Sequence, residues 1–171
     1  MFRYKTLDTA VLGWLLERVS GSTLSAFMAH NLWEPLGAER DGYFIMDGAP
    51  GFGREFSGAG FNATLRDFAR IGLLMLNEGR ANGRQIVPAD WVAQSTRPTE
   101  GAPAGENGYG MQWWTFANGA YAAQGLQGQY VYVDPRSRTI VVKLSHFPPG
   151  DTAASGETEA FLAAASAWAP R

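Results

Sequence analysis

Along residues 7–19 apolar side chains return at helical spacing, with Leu7, Val11, Leu12, Leu15, Leu16 and Val19 sharing a face. The pattern predicts an amphipathic helix with that face in the core, capped by Thr6 or Asp8 and ended by Gly21. A shorter helix is predicted from Ser22, carrying Leu24, Phe27 and Met28 and stopping before Trp33-Glu34-Pro35. Residues 38–61 are glycine-rich and aperiodic, which reads as loop. Thr64-Leu65-Arg66-Asp67 resembles a capping box with Asp67 in the usual glutamate position. It opens a helix with Phe68, Ile71, Leu74 and Met75 on one face, stopped by Asn77-Glu78-Gly79. Pro88 heads a short helix through Val92, and residues 96–107 read as an exposed loop.

From Tyr109 the period changes to two. Strands are predicted over Tyr109–Phe116, Ala120–Gln124, Gln129–Val133 and Thr139–His146. Asn118-Gly119 is a hairpin turn, and Asp134-Pro135-Arg136-Ser137 a longer one. An alanine-rich helix over Ala160–Trp168 should dock through Phe161, Leu162 and Trp168. Helices, then an antiparallel meander, then a terminal helix make the chain α+β. It reads as a single partial domain, 1–171, with 1–107 mainly helical and 108–171 holding the strands and last helix. No internal repeat is present.

Composition narrows the function. The chain is 46% hydrophobic with six tryptophans, enough for a core, and its net charge of −2 offers nothing to nucleic acid. There is no cysteine, and His30 and His146 lack ligand spacing, so no cofactor or metal is expected. No apolar run approaches the ~20 residues of a membrane span. The compartment stays open between bacterial cytoplasm and periplasm.

Three ordered stretches carry a resemblance. The first is Phe2-Arg3-Tyr4-Lys5-Thr6 with the helix after it. The second is Trp33-Glu34-Pro35-Leu36-Gly37, continued by Gly58 to Gly72. The third is Gly125-Leu126-Gln127-Gly128-Gln129-Tyr130, running to Val133-Asp134-Pro135. Together they resemble the serine β-lactamase, penicillin-binding protein and esterase superfamily, nearest to its class C-like branch with the 6-aminohexanoate-dimer hydrolases. The resemblance implies the C-terminal part of that fold.

It also implies acyl-serine chemistry on a small ester or amide. A Ser-x-x-Lys serine attacks the carbonyl, since a serine hydroxyl needs an adjacent base. Tyr4 matches the tyrosine that passes a proton to the leaving group. Gly128 and Gln129 match the strand whose backbone N–H completes the oxyanion hole. Thr6 stands where many relatives have a substrate-contacting Asn. Leu126 stands where β-lactamases have Lys, which removes the cation for a lactam carboxylate and favours esters or linear amides. Trp113 and Trp114 point to opposite strand faces; one is core, and Trp113 is the candidate for the substrate wall.

No serine precedes a lysine at that spacing: the residues three positions before Lys5 and Lys143 are Phe2 and Ile140. No Gly-x-Ser-x-Gly elbow replaces the motif. The expectation is therefore an N-terminally truncated hydrolase, inactive by itself, with a bare strand edge and an uncovered apolar face. The alternatives are a complete, catalytically dead binding or scaffolding module, and a hydrolase using another serine.

Overall fold

A computed structural model describes residues 2–49, 51–102 and 108–168. The outer part of the predicted 96–107 loop, residues 103–107, lies outside the described residues. The architecture is α+β: helices, an antiparallel sheet, and a closing helix.

Helix α1 spans Thr6–Ser20 and ends at Gly21, whose φ of 67° gives the left-handed cap that glycine takes without strain. Its N-cap is Lys5, with no side-chain capping bond, so neither Thr6 nor Asp8 plays the expected role. The larger correction concerns its faces. Leu7, Val11, Leu12, Trp14, Leu15, Leu16 and Val19 are all exposed, and only Gly13 is buried. The helix docks through Thr6, Thr9, Ala10, Gly13 and Glu17 instead. Gly13 allows this approach, because a Cβ there would come 2.2 Å from Ser57 Oγ. Ser57 Oγ donates to the Thr9 carbonyl at 2.9 Å, and Arg54 pairs with Glu17 at 3.2 Å.

Helix α2 (Leu24–Met28) starts one residue after Thr23, whose hydroxyl accepts from Ala26 N. It does not stop before Trp33: a π-helical turn, Ala29–Trp33, carries the chain into α3 (Glu34–Leu36). Pro35 follows closely on the π-helical turn, and the helix runs only one residue beyond it, to Leu36. A short ribbon pairs β1 (Tyr43–Phe44) with β2 (Phe61–Asn62) across the glycine-rich loop.

Helix α4 (Leu65–Leu76) is the central brace. Thr64 Oγ1 accepts from Asp67 N at 3.1 Å and donates to the Asp67 carboxylate at 2.7 Å, so the capping sequence acts as read. Leu74, Met75 and Leu76 are buried. Gly72 lets the helix sit close to the sheet, since a Cβ there would be 2.8 Å from Ile140 Cγ2. A second ribbon, β3 (Arg80–Ala81) with β4 (Arg84–Gln85), leads to α5 (Ala89–Ser95).

The main sheet runs in sequence order: β5 (Gly108–Tyr109), β6 (Trp114–Thr115), β7 (Tyr121–Gln124), β8 (Tyr130–Asp134) and β9 (Thr139–Lys143). The predicted strand over 109–116 is really the hairpin β5–β6. Gly110 N bonds to Trp113 O, Met111 N bonds to Ser95 O, and Gln112 takes a φ of 68°, which together fold the chain back. The Asn118-Gly119 and Asp134–Ser137 turns form as expected, the second held by the Asp134 carboxylate accepting from Arg136 N. One sheet face carries Tyr121 and Val133 against α4; the other carries Ala120, Ala122 and Tyr132 against Leu162 of α6 (Thr152–Ala167). Helix α6 begins eight residues earlier than predicted, at an Asp151 cap. Of its three expected anchors only Leu162 docks; Phe161 and Trp168 are exposed.

Candidate active site

Tyr4 lies on the extended segment just before α1 and is 50% exposed. Its ring meets Tyr109 edge-on at 5.7 Å and leans on Trp114 at 5.5 Å. Tyr109 and Trp114 face each other across the β5–β6 pair at 5.0 Å, and Phe2 packs on Tyr109 at 5.1 Å. Such aromatic pairs contribute roughly 0.5–1.5 kcal/mol each beyond area burial. Two polar ties fix the backbone behind the nest: Thr9 Oγ1 donates to Gln112 Oε1 at 3.1 Å, and Ser57 holds the Thr9 carbonyl.

Burial, with Tyr4 beside it, pushes the Tyr109 phenol up to about 12, so Tyr109 stays neutral at physiological pH. Among the described residues the Tyr4 hydroxyl makes no hydrogen bond. Thr6 is half-buried and packs on Gly58, where a Cβ would stand 2.8 Å from the Thr6 carbonyl. The result is an anchored phenol with a free hydroxyl, at the border between an aromatic surface and solvent. That combination suits a proton relay.

The third motif forms the turn between β7 and β8. Gly125 N bonds to Gln129 O at 2.9 Å and Gly128 N to Gly125 O at 3.2 Å. The Gln129 side chain is fully used by the turn: Oε1 accepts from Gln127 N, and Nε2 donates to Ser145 O at 2.8 Å. What remains free is backbone. Among the described residues the N–H groups of Leu126 and Gln129 have no acceptor.

Gly128 has a φ of 81°, and a Cβ there would collide with the Phe147 ring, so glycine is required twice over. The Lys143 ammonium donates to Ser145 Oγ at 2.7 Å and Gly128 O at 3.2 Å, and lies over Phe147 at 4.9 Å. Ser145 Oγ in turn donates to Gly128 O at 2.6 Å. With its proton committed to a carbonyl, Ser145 ties the turn to β9 rather than standing ready to attack. His146 reaches Gln127 at 3.1 Å, and Leu126 projects outward, 80% exposed.

The two clusters are neighbours in the sheet. Trp114 pairs with Ala122, and two residues further along β7, about 7 Å, Gln124 precedes the turn on the same face. Of the two tryptophans, Trp113 faces the other way, edge-to-face with Tyr121 at 5.4 Å against the α4 core. Trp114 is the one that meets Tyr4. Tyr109 escaped the sequence reading, which placed Trp113 and Trp114 on opposite faces but took Trp113 for the site; the packing of Trp113 on the buried Tyr121 reverses that choice. Among the described residues no group of three His, Asp or Glu is placed to hold a metal ion. No described helix is long and apolar enough to cross a membrane.

The beta-lactamase family model matches residues 1–165. Over 162 residues the chain is 36% identical to 6-aminohexanoate-dimer hydrolase of Paenarthrobacter ureafaciens, covering 88% of this chain and 41% of that protein. A solved Bacillus anthracis protein with a provisional 6-aminohexanoate-dimer hydrolase name superposes with a TM-score of 0.84 at 30% identity, covering 96% of this chain and 44% of that one. A beta-lactamase from Mycobacterium bovis gives 0.70 at 21% identity, covering 95% and 64%, a likeness of fold. The chain therefore spans less than half the length of the first two relatives.

Proposed function

The chain belongs to the beta-lactamase family of hydrolases, and from that premise we propose that it forms one wall of an acyl-serine hydrolase for small esters or linear amides. The observation that carries this reading is the free Tyr4 hydroxyl, held by Tyr109 and Trp114 beside the strand that ends in the third motif. In this reading Tyr4 passes a proton to the leaving group while the Gln129 N–H stabilises the developing oxyanion. Gly128 shapes the turn that presents that N–H. Thr6 is kept as a substrate contact, and Trp114 takes the place expected of Trp113, whose ring packs against the α4 core. Leu126 offers no charge to a lactam carboxylate, and the relatives named for the 6-aminohexanoate dimer favour a linear amide.

Residues 1–171 contain no Ser-x-x-Lys, so the nucleophile is supplied from outside them and this chain by itself hydrolyses negligibly. Magnitudes support that. Losing the serine costs about 10⁶ in rate, against roughly 10²–10⁴ from acid–base help.

The test places residues 1–171 in the Paenarthrobacter hydrolase in place of its matched region. Tyr4→Phe in that chimera should lower kcat by about 10²–10⁴ with KM little changed. Full retention of kcat would remove Tyr4 from the mechanism. The isolated chain should not react with a fluorophosphonate probe; stoichiometric labelling would sink the supplied-nucleophile reading.

A further inference from the structure

The ladder between β8 and β9 ends where Tyr130 pairs with Lys143. Beyond that pair, side chains take over from backbone. Gly128 O accepts two of them at once, Ser145 Oγ at 2.6 Å and the Lys143 ammonium at 3.2 Å. The two donors are themselves joined, Lys143 Nζ donating to Ser145 Oγ at 2.7 Å, and the Phe147 ring covers the ammonium at 4.9 Å. From the other strand, Gln129 Nε2 donates to Ser145 O at 2.8 Å and fixes the serine in place. Among the described residues no carboxylate pairs with Lys143. Its charge is spent on one backbone carbonyl and the serine that shares it.

That carbonyl belongs to the same peptide as the Gln129 N–H, the unpaired donor of the turn. A peptide is one conjugated planar unit. Donors that draw electron density onto Gly128 O withdraw it from the Gln129 nitrogen and strengthen its N–H as a donor. Hydrogen bonds linked in this way polarise one another by roughly 10–30% each, and bonds from a charged donor are the strong ones. Direction is set as well. No described peptide is cis, so with Gly128 O drawn to β9 the Gln129 N–H points away from it.

We propose that Lys143 and Ser145 are positioning residues for the oxyanion donor: through Gly128 O they aim and polarise the Gly128–Gln129 peptide. A cation that never touches substrate thereby stabilises negative charge developing on the far side of one peptide. The proposal rests on the acyl-serine reading and deepens it. Losing a whole oxyanion-hole donor costs about 10²–10³ in kcat. A tenth to three tenths of that effect, on a logarithmic scale, is about two- to eightfold.

The test uses the chimera of residues 1–171 with the Paenarthrobacter hydrolase. Lys143→Met keeps the chain length and the Phe147 contact but removes the charge. It should lower kcat about two- to eightfold with KM unchanged, because a ground-state carbonyl carries little of the charge that the N–H answers. Ser145→Ala should act in the same way, and Ser145→Thr, which restores the hydroxyl, should recover most of the loss. A second readout needs no turnover. Gly128-Gln129 is the sole Gly-Gln step in residues 1–171, so glycine labelled with carbon-13 at the carbonyl and nitrogen-15 glutamine mark this peptide. Its amide nitrogen should shift upfield in Lys143→Met and Ser145→Ala and return in Ser145→Thr. An amide signal unmoved by both changes overturns the proposal. So does an unchanged kcat in a chimera that Tyr4→Phe impairs, or a raised KM with kcat intact, the mark of a purely structural tie. A shifted amide in a chimera without turnover supports the polarised peptide and counts against the acyl-serine reading alone.

Discussion

Helices α1 and α4 both carry apolar residues at three- and four-residue spacing, yet α4 turns Leu74, Met75 and Leu76 into the core while α1 turns Leu7, Leu15 and Val19 to solvent. The difference lies in what each helix finds opposite. Facing α4 are Val131, Val133 and Ile140 of the sheet, close enough that Gly72 is needed at the contact. Behind α1 lies a polar loop with Ser57 and Arg54, which takes up the helix's small side by hydrogen bonds and an ion pair. Periodicity announces that a face will be buried; it does not name the partner. Among the described residues the apolar face of α4 has that partner, and nothing covers the apolar face of α1.

Stability measurements should separate the two helices widely. Leu74 is 2% exposed, so Leu74→Ala should cost about 2–5 kcal/mol in denaturant unfolding. A loss below about 1 kcal/mol would mean that the α4 face is not the core it resembles.

The next effect comes from Asp67, fully buried at the start of α4. Its carboxylate accepts from Thr64 Oγ1, Glu39 N and Arg70. Burial pushes its pKa upwards, but those bonds outweigh burial and hold it below the ordinary carboxylate value. A lowered folded pKa means stability that is fully present above the unfolded value of about 3.9 and is lost as pH falls through the folded one. Asp67→Asn should therefore cost roughly 1.5–3 kcal/mol at neutral pH, with the gap to wild type closing in acid. A gap independent of pH from 7 to 3 would refute the ionised reading. Gly72→Ala ranks third. Crowding Ile140 costs more than the gained helix propensity returns, a net loss of about 0.5–2 kcal/mol.

Local signals in the sequence carried much of this fold. The capping residues of α4, the two turns and the cores of β7, β8 and β9 were all legible, because each rests on neighbours in the chain. The misses needed tertiary information. The β5–β6 reversal depends on Met111 bonding to Ser95, in a helix that no strand pattern reports. The π-helical turn through Trp33 reverses the usual reading of Pro35 as a stop. At the site, Tyr4, Gly128 and Gln129 were visible through ordered motifs, whereas Tyr109, and the choice of Trp114 over Trp113, became visible only when the sheet brought them to Tyr4.

The smallest expected effect is the most discriminating for the comparison of the two helices. Leu15 is 56% exposed and touches no buried cluster, and glutamate is as good a helix former as leucine. Leu15→Glu in residues 1–171 should therefore move the unfolding free energy by no more than about 0.5 kcal/mol, and solubility should rise. A loss of about 2 kcal/mol or more would show that α1 buries its apolar face within this chain after all. The contrast with α4 would then collapse. A neutral result would show that helical spacing alone put Leu15 on that face, without any contribution to the stability of residues 1–171.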